Sequence, residues 1–354
     1  RTKHGWQAEI RLPFSTVRHR AGANVWGFNL WRKLPRNGEE GRWSESRPEI
    51  RTYHFAQAGK IEGININRRN LNLEVTPYVL GDITNSKTSG DFGGDIRYRF
   101  KPNWTAHLTL NTDFAETEVD DRQINLTRFA IRFPEKRDFF LEGANIYQFA
   151  PRSGVYPYFS RKIGLQSGNP IPILYGGRII GKIGKVEIAA QQVKTRKTDL
   201  VNSEDFSVLR LKQNFLKESS IGILYTRRHT TNGEQLTEPL QDRNTFGIDL
   251  TLNTSSFLSN QNLQFQAFAI MHNPESPNDL NNSMWDRSAR GLRFNFPNQP
   301  WSGSLSYREF GNSYDPAVGF SRRNSFRRVE PRIRFSPLQE KSSLIREFSW
   351  EISF

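Results

Sequence analysis

The chain of 354 residues contains no cysteine. Disulfides and thiolate metal centres are therefore excluded, and redox compartment is left open by this feature alone. No apolar run approaches the ~18 residues of a membrane-spanning helix, and hydrophobic residues make up only 36% of the chain. Together these features exclude a helical membrane protein. A propeller should repeat a blade motif every ~40–50 residues, and no such repeat is present. GxSxG, Walker and HExxH patterns are absent. The six histidines (His4, His19, His54, His107, His229 and His272) are scattered, with no pair at ligand spacing. Nothing in the sequence implies a metal or a cofactor.

What is abundant is aromatic and basic character. The chain has 26 Phe, 8 Trp and a net charge of +14. That aromatic share argues against disorder. An amphipathic β-protein fits low hydrophobicity and many aromatics at once, because apolar residues alternate with polar ones instead of running together. A strongly basic chain raises the question of nucleic acid. Here the arginines are spread over almost every predicted strand, without a compact stripe or a helix-turn-helix, zinc-finger or RNA-binding signature. Nucleic acid is not expected as a partner. Basic residues lining a polar interior, or meeting anionic lipid headgroups, fit better.

From about residue 61 the alternation is strict. Ile96, Tyr98 and Phe100 alternate with Asp95, Arg97 and Arg99 up to a Lys101-Pro102-Asn103 turn. Ala106, Leu108 and Leu110 then alternate with Thr105, His107 and Thr109. Period two on this scale means strands. The same grammar recurs at Ile179–Ala190, Leu209–Tyr225, Phe246–Leu252, Leu263–Ala269, Leu292–Tyr307 and Val329–Phe354. Roughly fourteen or more strands result, most near the ~9–11 residues of a membrane-spanning strand. Short turns (101–103, 184–185, 216–219, 297–300) alternate with long polar connections (82–91, 195–205, 228–243, 272–288, 311–326). Aromatics such as Phe100, Trp104, Phe296 and Trp301 bracket the short turns. This is the layout of an outer-membrane barrel. The expected fold is all-β: an antiparallel transmembrane β-barrel of outer-membrane type over residues 51–354. Strand direction at the aromatic-rich end, Phe348–Phe354, leads to the expectation that the barrel continues past Phe354.

Residues 1–50 read differently. Trp6–Phe14 reads as one strand, Val25–Arg32 as another, and NGEEGRW as a polar turn. The stretches GWQAEIRLPFS (Gly5–Ser15) and WGFNLWRK…RWS (Trp26–Ser44) resemble the C-terminal part of a carbohydrate-binding module of family 9, a β-sandwich. The resemblance implies a sandwich fragment with Trp6, Trp26 and Trp31 in its core. It covers none of the strands that carry sugar-stacking aromatics in such modules, so no binding residue is implied.

The densest concentration of charge is Leu110–Gly143. Five acids (Asp113, Glu116, Glu118, Asp120, Asp121) precede five bases (Arg122, Arg128, Arg132, Lys136, Arg137), which are interleaved with Phe129, Ile131, Phe133, Phe139 and Phe140. Hard oxygen ligands at this density suit Ca²⁺, but the spacing matches no EF-hand loop. Glu116 and Glu118, two apart on a strand, meet the carboxylate separation of a glycosidase, as any acidic strand would. The favoured reading is an internal ion-pair network. Arg128, Ala130 and Arg132 would face a barrel lumen, and Phe129, Ile131 and Phe133 would face lipid. The acids would be the counter-charges, held by bidentate hydrogen bonds. Pro134–Gly143 would then fold inward as a plug or constriction. Gly176-Gly177, within a strand, reads as a bend or a close backbone approach.

NTDFAETEVDDRQINLTRF with FPEKRDFFLEG (Asn111–Gly143) resembles the signature of a bacterial family, the domain of unknown function 5916. YFSRKIGL (Tyr158–Leu165), PILYGGRIIGKIG (Pro172–Gly184) and YDPAVGFSRR (Tyr314–Arg323) resemble further stretches of it. The resemblance implies a barrel of outer-membrane type following a family 9-like module, and no established activity. The expected function is non-enzymatic. It is surface binding or passage of a carbohydrate-related or other ligand in the bacterial outer membrane, with membrane lipid and carbohydrate as partners. The alternatives are a secreted or surface carbohydrate hydrolase using the 113–121 acids, and a structural barrel that conducts nothing.

Overall fold

The computed structural model of the chain describes residues 7–12, 22–34, 39–44, 58–64, 72–84, 87–101, 103–112, 124, 126, 129, 131–166, 169–198, 202–231, 242–258, 260–274, 283–316, 318–337 and 348–354. Thirteen strands form one antiparallel sheet. They are β1 (Asn72–Thr84), β2 (Lys87–Lys101), β3 (Trp104–Thr112), β4 (Ile173–Ile183), β5 (Val186–Thr195), β6 (Glu204–Phe215) and β7 (Ser219–Thr230). The second half comprises β8 (Arg243–Phe257), β9 (Gln261–His272), β10 (Ser288–Pro297), β11 (Trp301–Phe310), β12 (Phe326–Phe335) and β13 (Trp350–Ser353). Spatial order equals chain order, so the sheet is a plain meander with β1 and β13 at its edges. Among the described residues those edges do not pair with each other, and the sheet is not closed.

Period-two alternation sorts the side chains into two rows of opposite character. One cross-strand row runs Ile179, Ala190, Leu209, Tyr225, Phe246, Met271. Ile179, Leu209, Phe246 and Met271 in it are exposed, Phe246 at 53% and Met271 at 40%, and Tyr225 is half-buried. The row one residue along runs Arg178, Gln191, Val208, Thr226, Thr245, His272, and every member is buried. The polarity is the reverse of a water-soluble sheet, which buries its apolar row.

Ten of the twelve connections keep two lengths; β1–β2 is short at the end of the long connections, and β12–β13 is long at the end of the short ones. The links β2–β3, β4–β5, β6–β7, β8–β9 and β10–β11 are short and lie at one end of the strands, while those after β3, β5, β7, β9 and β11 are long and lie at the other. The long connection expected at Asp82–Asp91 is instead strand: Asp82 pairs with Ser89 and Leu80 with Asp91. Backbone ladder bonds form whatever the side-chain polarity, so a polar composition did not make a loop there.

The connection from β3 to β4 is long and contains the charged stretch. Its described part, Ile131–Gln166, is mostly irregular, with single turns of helix at Asp138–Leu141, Ala144–Tyr147 and Ser160–Lys162. It lies on the buried face of the sheet, called here the inner face, and forms two apolar clusters there. Phe139, Phe140 and Ile163 meet Ile173, Val193 and Phe206 in one. Ile146, Tyr147, Phe149 and Val155 meet Ile180, Val208, Leu224 and Ile270 in the other. Val318 and Tyr314, from the β11–β12 connection, close the two clusters. Bridges Tyr156–Phe320 and Tyr158–Val318 tie that connection to the segment.

The wall strand expected through Phe129–Phe133 is not formed: Ile131–Arg137 has no strand pairing. The reason is topological. β3 pairs directly with β4, Leu108 opposite Gly177, so the sheet has no slot for another strand between them.

In the N-terminal region, Val25–Phe28 pairs with Gly59–Glu62, and Trp31–Leu34 pairs with Glu39–Arg42. The single strand expected over Val25–Arg32 is broken at Asn29. Its Oδ1 accepts from the backbone N–H groups of Leu30 at 3.0 Å and Ser44 at 3.1 Å, local bonds that compete with a ladder. NGEEGRW supplies a strand at Glu39–Arg42, not only a turn. Residues 7–12, expected as strand, carry no strand pairing. Trp31 is exposed at 44%, so it is not a core aromatic. Trp26 is half-buried and donates its Nε1–H to Ile64 O at 3.3 Å. Trp6 lies outside the described residues.

Candidate functional site

The inner face is where charge meets burial. Nine consecutive strands, β3 to β11, touch Phe139–Tyr158 through rings, backbone carbonyls or core packing. The site is best built from the arginines that make these contacts.

At the β1–β4 end, His107 on β3 is fully buried. Its Nε2 is 3.1 Å from Asp95 Oδ1, and its Nδ1 is 3.3 Å from Arg178 Nη2. A carboxylate only accepts and a guanidinium only donates. The Nε2–H tautomer satisfies both contacts. Arg178 Nη2 also donates to Glu142 Oε2 at 3.4 Å. Glu142 is further bound by Arg97 Nε at 3.1 Å, and Arg97 Nη1 donates to Glu74 at 2.8 Å. One chain of contacts thus runs from Asp95 through His107, Arg178, Glu142 and Arg97 to Glu74. Phe139 packs against both His107 (4.9 Å, edge-on) and the Arg178 guanidinium (5.1 Å). A Cβ on Gly176 would stand 3.0 Å from the Phe139 ring. Gly176 therefore marks the close approach expected of it, and no bend is required.

Mid-sheet, Arg210 and Asp249 form a bidentate pair at 2.6 and 3.0 Å. Both are buried. Arg210 Nη2 also donates to Gln148 O at 3.0 Å, and Asp249 Oδ2 accepts from the Ala150 N–H at 3.2 Å. One ion pair across the sheet therefore holds two backbone groups of the inner segment.

Within the segment, Arg137 is buried and grips Glu135 at 2.8 and 2.7 Å. Its remaining N–H groups donate to Ile163 O at 2.7 Å and Ser160 O at 2.8 Å. Burial acts to raise the Glu135 carboxyl, but the hydrogen bonds and charge of Arg137 outweigh it and hold the group below its ordinary value. Tyr147 and Tyr158 pack with ring centroids 4.8 Å apart. Burial pushes both hydroxyls above their ordinary range.

At the β11–β12 end, Arg308 Nη1 donates to Ser153 O at 3.0 Å and its Nη2 pairs with Glu330. Arg328 reaches the same Glu330 at 2.8 Å. Two cavities of about 460 and 330 Å³ open here between segment and sheet.

Of the ten residues expected in an internal charge network, three are described. Of these, Arg137 is an internal clamp paired with Glu135. Lys136 is half-buried beside it, with its N–H bound to Glu135 Oε1 at 3.0 Å. Arg132 is exposed and lies 4.2 Å over the Tyr156 ring; it is not on a strand. Asp113, Glu116, Glu118, Asp120, Asp121, Arg122 and Arg128 lie outside the described residues. Among the described residues there is no cluster of acids and histidines able to hold a metal. The residues that sequence reasoning missed are Arg178, Glu142, Arg210, Asp249, Arg308 and Glu330. Two carried a readable signal: Arg210 between Leu209 and Leu211, and Asp249 between Ile248 and Leu250, are charged residues at the polar phase of strands otherwise apolar at that level.

Residues 70–175 match the family model described as Domain of unknown function (DUF5916). The match covers all of β1, β2 and β3, and the inner segment up to the start of β4. No curated protein and no solved structure matches the chain.

Proposed function

We propose that the thirteen-stranded sheet is wall of an outer-membrane β-barrel, with its apolar row toward lipid and Ile131–Gln166 as an internal plug, and that the protein binds or passes a ligand at the bacterial cell surface. The observation that carries this reading is the reversed polarity. Phe246 and Met271 are exposed while Arg178, Thr226 and Arg210 on the opposite face are buried. In water such a sheet would expose a contiguous apolar surface far larger than a soluble monomer carries. In a bilayer it meets the requirement that outward positions be apolar and inward ones polar. No described helix is long and apolar enough to cross a membrane, which says nothing of strands. The short and long connections, segregated to opposite ends from β2 to β12, fit periplasmic turns and surface loops. A carbohydrate-related ligand remains the expectation from the resemblance to a family 9 module in residues 5–44.

The test is refolding of the purified chain with and without detergent micelles, followed by protease protection in liposomes. The reading expects folded, heat-modifiable protein only with detergent, and strand segments protected in liposomes. A monomer that folds fully without detergent overturns it. The dense packing of Phe139, Phe140, Phe149 and Tyr147 on the inner face favours, as a second reading, a structural barrel that conducts nothing. Planar-bilayer conductance separates the two.

A further inference from the structure

The two cavities at the β11–β12 end share two arginines, Arg308 and Arg328. Their other basic lining differs. Arg152, Arg293 and Arg332 border the larger cavity. Arg322 and Arg323, from the long β11–β12 connection, border the smaller one. Among the described residues Glu330 is the one side-chain carboxylate lining either cavity. The cavities thus adjoin at Arg308 and Arg328, with arginines lining both.

Three features separate this cluster from incidental surface charge. First, Arg308 and Arg328 are direct cross-strand partners, so they occupy the same face opposite one another, an arrangement that ordinarily destabilises a sheet. Glu330 bridges both, but one carboxylate does not neutralise two guanidiniums. Second, Arg152 holds φ of 72°, two residues after Ala150 at φ 38°. A left-handed conformation is costly for a residue with a side chain, and it persists only where the surroundings impose it. The kink turns the segment just where Arg152 borders the cavity, and Arg308 clamps the next carbonyl, Ser153 O. Third, the side chains of Arg328 and Arg332 are 60% and 61% exposed, so their N–H groups are within reach of a solute even while they bind Glu330 and Glu351.

We propose that this arginine-lined pair of cavities binds oxyanion groups (carboxylate, sulfate or phosphate) of a solute entering between the inner segment and strands β11–β12. The inference deepens the ligand-binding reading above and rests on it for the direction of entry. Guanidinium suits an oxyanion because it is planar and always charged, and it donates two parallel hydrogen bonds to a pair of oxygens. The flanking Ser304 and Ser306 hydroxyls can donate to further oxygens.

The test is calorimetric titration of the full chain in detergent micelles at low salt. The titrants are sodium sulfate, a trigalacturonate and a neutral maltotriose. Sulfate and trigalacturonate should bind, and maltotriose should not. Binding of sulfate alone assigns the cavities to free small anions; tighter binding of trigalacturonate assigns them to acidic glycans. The R328Q/R332Q double variant should weaken binding by about tenfold or more, since each removes charge-assisted hydrogen bonds. R328K/R332K should recover part of the loss. E330Q, which removes the competing carboxylate, should tighten binding severalfold; a purely structural cluster would lose affinity instead. Heat-modifiable mobility reports folding of each variant separately. A flat titration with folded wild-type protein, or affinity unchanged in R328Q/R332Q, overturns the inference and leaves the barrel reading intact. Detergent-free folding would sink the barrel reading, while the same titrations would still decide the site.

Discussion

The two ends of the inner face use arginine in opposite ways. Arg210, 1% exposed, commits its donors to both oxygens of Asp249 and to Gln148 O. Arg178 likewise sits between His107 and Glu142. Each ties a partner on another strand to the inner segment, and the result is a clamp on that segment. Around Arg308 and Arg328, which share Glu330, five arginines and one side-chain carboxylate line the larger cavity among the described residues, and the Arg328 side chain is 60% exposed. The difference lies in counter-charge and burial, not residue type. A buried guanidinium relies on a carboxylate within the fold, whose removal leaves an uncompensated buried charge; one at a cavity wall can leave donors for a solute.

The sharpest way to break this contrast is to remove a counter-charge from the matched end. Asp249→Ala leaves Arg210 buried without its carboxylate, and the expected loss is about 3–5 kcal/mol. Denaturant unfolding in micelles measures it. A loss below about 1 kcal/mol would mean the pair is not a clamp. The outer face comes next. Ile223, exposed on β7, should tolerate arginine poorly in a bilayer, at roughly 2–4 kcal/mol near the midplane. In a water-exposed sheet the same Ile223→Arg change would stay within about 0.5 kcal/mol. Gly222→Ala follows, because a Cβ there would lie 2.6 Å from the Arg210 guanidinium. The overpacking should cost about 1–3 kcal/mol, and Asp249→Ala/Gly222→Ala should cost less than the sum, since both act on Arg210.

A smaller effect depends on pH. The folded Glu135 carboxyl is held below its ordinary value of 4.5, so it takes up its proton at lower pH than in the unfolded chain. Its contribution is fully present above pH 4.5 and is lost as pH falls through the lower folded value. Stability of wild type against Glu135→Gln, measured across the acid range, should converge as pH drops; parallel curves would remove Glu135 from the clamp. Smallest is Arg328→Gln, which should alter unfolding by no more than about 0.5 kcal/mol while lowering oxyanion affinity. A large stability loss there would erase the distinction between the two ends.

Much of the sheet was readable because alternation is a local code. Residues such as Leu108 against His107, or Ile179 against Arg178, declare a two-sided strand within a few positions. Turn chemistry placed the short connections at 184–185 and 297–300. Polar composition misled at Asp82–Asp91, where ladder pairing continues, and apolar alternation misled at Phe129–Phe133, where no neighbouring strand was free. The N-terminal region failed for a side-chain reason: Asn29 binds Ser44 across the chain and interrupts the strand.

The candidate site was legible in kind and not in partner. An inward-packed segment around Phe139 and Phe140 could be read from charge mixed with aromatics. That Arg137 would choose Glu135, and that Asp249 would meet Arg210 at a separation of 39 residues, could not. By itself the amino-acid sequence determined the strands, their two faces and the reversal of polarity between them, because each of these depends on neighbours one or two residues apart. Only the tertiary structure decided which arginines are matched and which stand open, because counter-charge and burial are set by groups brought together across nine strands, and no local pattern encodes that meeting.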